Sequence, residues 1–147
     1  MTRNIQAEEK LDGFINKLMS LGYEIKKEDR KKPQIYLING ARVNIRSRRA
    51  PSDTAYGRVF WYDVAFSILQ DVKWVIYLTT TPDYFVKFPS SFLESLKDRM
   101  YPVGRDDGKG VFNIDWDNEM IELKQGEIRS INEYYCNLIH LEDYPEF

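Results

Sequence analysis

The chain has 147 residues, 43% of them hydrophobic, 14% aromatic and 30% charged, which gives one domain over 1–147 with a real core and excludes a disordered chain. No apolar run nears the length of a membrane span, MTRNIQAEEK does not read as a signal peptide, and one Cys with one His excludes a zinc site of those ligands. The net charge of −2 hides an asymmetry: residues 1–50 hold 12 Lys/Arg against 6 Asp/Glu, and residues 51–147 hold 9 against 17. The basic first third points to an anionic partner there, and the acidic remainder argues against a protein that coats DNA indiscriminately. Cys136 alone cannot make an internal disulfide, so a reducing, cytoplasmic setting is expected.

The first predicted element is a helix over 4–22. Leu11, Phe14, Ile15, Leu18, Met19 and Leu21 recur at helical spacing, Asn4 is a candidate cap and Gly22 a stop. Glu8, Glu9 and Asp12 suit the helix dipole in its first half. A short extended piece, Tyr23 to Ile25, leads into a charged loop, KKEDRKKP, whose Lys26, Lys27, Arg30, Lys31 and Lys32 are candidate phosphate contacts.

A β-hairpin follows. Ile35 to Ile38 is one strand, Asn39-Gly40 the turn, and Ala41 to Arg48 the return. Alternation puts Val43, Ile45 and Ser47 on one face and Arg42, Asn44, Arg46 and Arg48 on the other. A face that lines up one amide and three guanidiniums is either wet or an anion site, and Arg42, Arg48 and Arg49 are candidate nucleic-acid contacts.

Ala50 to Gly57 reads as a loop, and Arg58 to Phe66 as a buried third strand. Asp63 within that strand requires a cation, a donor or water, with Arg42 or Arg58 as candidate partners. Ser67 to Val72 is ambiguous. Lys73 to Thr80 reads as a central strand, Tyr84 to Phe88 as another, and a helix runs from Pro89 to about Arg99, capped by Ser90 or Ser91. Tyr101 to Gly110 reads as a loop and Val111 to Trp116 as a strand. The acid-rich DWDNEMIELKQGE lacks the glycine and glutamate placement of an EF-hand and reads as solvated surface. A final helix is expected over Glu127 to His140, with Ile131, Tyr134, Tyr135 and Leu138 inward and His140 at the surface.

This order of helix, hairpin, strands, helix and strand resembles the PD-(D/E)XK nuclease superfamily. Pro33-Gln34 stands where that family has Pro-Asp, and Asn44-Ile45-Arg46 where it has Glu-x-Lys. The resemblance covers residue 4 to about 96. It implies an α/β fold with a single mixed β-sheet flanked by helices, a restriction-endonuclease-like core. It also implies a metal site in which Glu8 or Glu9 supplies the helix acid. Here amides replace two carboxylates, and a permanently charged Arg46 replaces the lysine.

Three functions follow as expectations. The first is a nucleic-acid-binding protein, with DNA the expected partner, on a nuclease fold whose metal site is degenerate. The second is an active Mg2+-dependent endonuclease of restriction or homing type. In it Glu8, Gln34 and Asn44 surround the metal, Arg46 clamps the phosphate, and Asp63, Glu9 or Asp29 is available to restore charge. The third is an accessory protein that works through protein contacts. Dimers or larger homo-oligomers are common among chains of this kind. Tyr36, Tyr56 and Trp61 can stack on bases only if exposed, and core packing is the expectation for Trp61.

Overall fold

In the computed structural model, the described residues are 5–28, 34–46, 59–79, 83–103, 105–143 and 146–147. Asn4, Asp29, Arg30, Lys31, Lys32, Pro33, Arg48, Arg49, Tyr56, Arg58 and the expected 50–57 loop lie outside them.

The helix α1 spans Ile5–Ser20. Gly22, at φ +95°, ends it: its N–H donates to Met19 O (3.0 Å) and that of Tyr23 to Leu18 O (3.1 Å). These two bonds form a Schellman motif, which needs the left-handed backbone that glycine adopts without strain. Phe14 and Leu18 are fully buried, whereas Met19 and Leu21 lie on the exposed side and not in the expected stripe.

Strands β1 (Ile25–Lys27), β2 (Ile35–Ile38) and β3 (Ala41–Arg46) form an antiparallel meander. Asn39 (φ +49°) and Gly40 (φ +87°) both adopt left-handed backbone, the conformation of a two-residue type I′ hairpin turn. Asn39 also clips the turn to the chain before β1. Its Oδ1 accepts from Glu24 N at 2.9 Å, and its N–H donates to Glu24 O at 2.8 Å.

Strand β4 spans Val59–Ala65, β5 Trp74–Leu78 and β6 Tyr84–Pro89. The single expected sheet is in fact two. The first has the order β1-β2-β3-β5-β6, and β5 lies parallel to β3. The third strand of the sequence, β4, leaves it for a second, antiparallel sheet. The physical reason is that Tyr62 and Val64 face the first sheet instead of extending it, filling a core with Ile35, Val75, Tyr77 and Phe88.

Helix α2 (Ser90–Leu96) adds Leu93 and Leu96 to that core. Neither candidate serine caps it through its side chain: Pro89 occupies the cap, and Ser90 Oγ donates to Val72 O at 2.6 Å. Beyond it, β7 (Tyr101–Val103) and the ten-residue β8 (Asp106–Asp115) replace much of the expected loop. Strand β9 (Met120–Glu122) follows a tight turn in which Asp115 Oδ1 accepts from the N–H of Asp117 and Asn118. Strand β10 is Ile128–Ser130 and β11 is Tyr135–Asn137.

These last two strands overturn the expected final helix over 127–140. The three- and four-residue spacing of Ile131, Tyr134, Tyr135 and Leu138 mimics helical period. Yet β10 pairs with β9, and β11 completes the first sheet beside β6. Ile131 and Leu138 are buried as expected.

The result is α/β in content but mostly strand, in three layers. Helix α1 packs on the Val43, Ile45, Ile76 and Phe85 face of the first sheet. The second sheet, with edge strand β4 among the described residues, packs on its other face.

Because Gly40 sits in left-handed backbone at the hairpin turn, Gly40→Ala should destabilise the fold by about 1–2 kcal/mol. Urea denaturation should show a lower midpoint with an unchanged slope.

Candidate functional site

Strand β3 delivers its alternate residues to the side of the first sheet that meets the second. Asn44 lies in register between Ile35 on β2 and Val75 on β5, so it is walled by apolar neighbours and only 2% exposed. A buried amide needs partners. Its Nδ2 donates to the Gln34 backbone carbonyl at 3.4 Å, and that carbonyl also accepts from Ile45 N at 2.9 Å. Gln34 itself has φ +71°, which turns the chain into β2 and carries its side chain toward β3.

Arg46, two residues further, is half-buried. Its Nη1 donates to Gln34 Oε1 at 3.3 Å, and its Nη2 donates to Asp63 Oδ1 in an ion pair. Asp63 alternates with inward-facing Tyr62 and Val64, so its carboxylate lies on the outer side of β4. Arg46 therefore bridges the two sheets. Tyr77, opposite Arg46 on β5, closes the arrangement by donating its hydroxyl to the Asp63 backbone carbonyl at 3.0 Å. Burial pushes the Tyr77 hydroxyl far up, so it is a fixed donor and not a proton shuttle.

Gln34, Asn44 and Arg46 thus converge, joined by Asp63. The acid within an aromatic strand was the legible signal for Asp63; its partner is Arg46, not Arg42. Arg42 instead pairs with Glu28 at 2.8 Å. Lys26 and Lys27 are exposed on edge strand β1, and Lys26 Nζ lies 3.2 Å from Glu24. Glu8 belongs to α1, which packs on the opposite face of the sheet from Asn44 and Arg46, and its side chain lies outside the described residues.

Magnesium favours carboxylates and phosphate oxygens. The described donors here are two amides and one carboxylate, and the carboxylate already faces a guanidinium. Gln34 Oε1 faces the same cation. A second positive ion at these oxygens meets direct repulsion, so these donors do not fit a magnesium centre. Among the described residues, no three His, Cys, Asp or Glu side chains gather at one point. The arrangement instead suits an anion: a planar fork with further N–H groups, held in place by neighbours.

Sequence reasoning missed a buried cation, Lys87 on β6. It is 3% exposed, with its ammonium 4.4 Å from the Trp74 ring centroid and 4.5 Å from that of Phe147. Burial holds its pKa down. The signal was a lysine inside the apolar run Phe85-Val86-Lys87-Phe88. Cys136 neighbours it in the α1-side core, and burial pushes that thiol up to about 11 despite the opposing pull of Lys87.

Compared with known proteins, the chain matches no family model, no curated protein and no solved structure.

A thiol raised to about 11 is almost wholly protonated at pH 8. Native Cys136 should react with iodoacetamide at least about a hundredfold slower than in denaturant at pH 8. The native rate should climb about tenfold per pH unit below that value. Mass spectrometry of timed aliquots measures both.

Proposed function

We propose that this protein binds nucleic acid through its phosphates and that Arg46 is the central contact. The observation that carries the reading is the convergence of Gln34, Asn44 and Arg46, with Asp63 as the one described carboxylate beside them. In the PD-(D/E)XK frame that the sequence resembles, these are the positions where acids and a lysine would work on a phosphodiester. Amides and an arginine at those positions can grip a phosphate but supply neither the charge to hold a metal nor a base. The basic first third of the chain adds long-range attraction to the same partner.

Gripping without cleavage has a definite signature. Binding of DNA should weaken steeply with salt, because each neutralised phosphate releases counterions. Arg46→Ala should lower affinity several-fold and reduce the log–log salt slope by about 0.7–0.9, the loss of one phosphate contact. Plasmid and genomic DNA incubated with magnesium or manganese should remain intact. Metal-dependent cleavage that disappears in Arg46→Ala would replace this reading with a rearranged endonuclease. Absence of binding at low salt, together with stable association with another protein, would replace it with an accessory role.

A further inference from the structure

The outer face of the second sheet carries a feature that phosphate contacts do not use. Trp61 is 42% exposed, although its place in an apolar strand points to the core. Its ring meets Tyr101 edge to face, with centroids 5.3 Å apart at 73°. The two come from β4 and β7, which flank β8, and they meet over it.

This aromatic pair is continuous with the Arg46 cluster. Trp61 and Asp63 are alternate residues on one strand face, so they stand about 7 Å apart along it. Arg46 is paired to Asp63. Lys109, exposed, lies opposite Ala65 on the same face, on the other side of Asp63 from Trp61. One end of the face is therefore cationic and the next step along it is aromatic. That separation is comparable with the reach from a nucleotide's phosphate to its base.

Beyond the aromatic pair the sign reverses. Asp115 and Glu122 share this face through the β4–β8 and β8–β9 registers. A duplex lying across the sheet would bring phosphates of both strands against those acids and would keep its bases stacked on each other. A single strand avoids both penalties. Its phosphate sits at Arg46 and Lys109, and an unpaired base lies on the ring face of Trp61.

We propose that Trp61 and Tyr101 form a stacking platform for an unpaired base, so that the preferred partner is single-stranded nucleic acid. The proposal rests on the phosphate-binding reading above. Base-on-aromatic stacking accepts any base, so the expected selectivity is for strandedness and not for sequence.

The test compares three probes of equal length by fluorescence anisotropy at low salt: single-stranded oligothymidylate, an abasic strand with the same phosphates, and a duplex. The wild-type chain should bind oligothymidylate roughly tenfold more tightly than the abasic strand or the duplex. Trp61→Ala should remove that preference while leaving the salt slope unchanged. Trp61→Phe, which keeps a ring, should retain most of it and guards against a loss through misfolding. Equal affinity for oligothymidylate and abasic strand, unaltered in Trp61→Ala, would overturn the platform and leave the phosphate reading standing. Preference for duplex would do the same. Binding to none of the three would remove both. A wild-type chain that self-associates through Trp61, and binds no strand, would make this face a docking surface for a second copy instead.

Discussion

Both faces of the six-stranded sheet must be covered, and most of the architecture answers that requirement. Within β5, Val75, Ile76, Tyr77 and Leu78 are all buried, so neither face of the sheet centre can meet water there. One helix, α1, covers one face through Phe14 and Leu18. The other face is too broad for the seven residues of α2, and the second sheet fills it. Apolar area removed from water stabilises by roughly 25 cal/mol per Å². The aromatic cluster of Tyr62, Tyr77, Phe88, Phe112 and Trp116 at the sheet interface is therefore a main source of stability.

That covering layer also explains which parts of the fold could be read from the chain. Elements written in local chemistry were legible: Gly22 ends α1, Asn39-Gly40 turns the hairpin, and the apolar run of β5 marks a central strand. The partition into two sheets depends on which strand pairs with which. Nothing in Val59–Ala65 says whether it extends β3 or packs across it. The segment near the C-terminus misled for a related reason. Ile131, Tyr134, Tyr135 and Leu138 carry helical spacing, but without β11 one side of β6 would be left with unpaired backbone groups, and pairing with it decides the outcome over local period.

The candidate site shows the same division. The convergence of Gln34, Asn44 and Arg46 was legible because hairpin register is local: Asn44 faces Ile35, and Gln34 immediately precedes it. Asp63 as the partner of Arg46 was not, because it arrives from the other sheet. Trp61 was misplaced by the assumption that an aromatic strand is buried on both faces. Strand β4 buries only Tyr62 and Val64 of its described side chains, and Trp61 is left on the outer side with Asp63.

The Arg46–Asp63 pair constrains how tightly an anion can be held. A half-exposed ion pair contributes only about 0–1 kcal/mol to stability, so its value to the fold is small. Its effect on the site is larger. Asp63 holds the guanidinium in one orientation, which in the proposed binding would reduce the side-chain entropy lost to a phosphate. It also places a negative charge next to any incoming phosphate. Arg46 has five N–H donors; Asp63 engages Nη2 and Gln34 engages Nη1. The remaining donors allow a phosphate to share the fork without displacing Asp63. In the proposed contact, orientation is thus gained at the expense of Coulombic attraction. To hold a strand as proposed, such a clamp needs a second source of affinity, and the exposed ring of Trp61, two residues from Asp63 on β4, is a described group able to provide one.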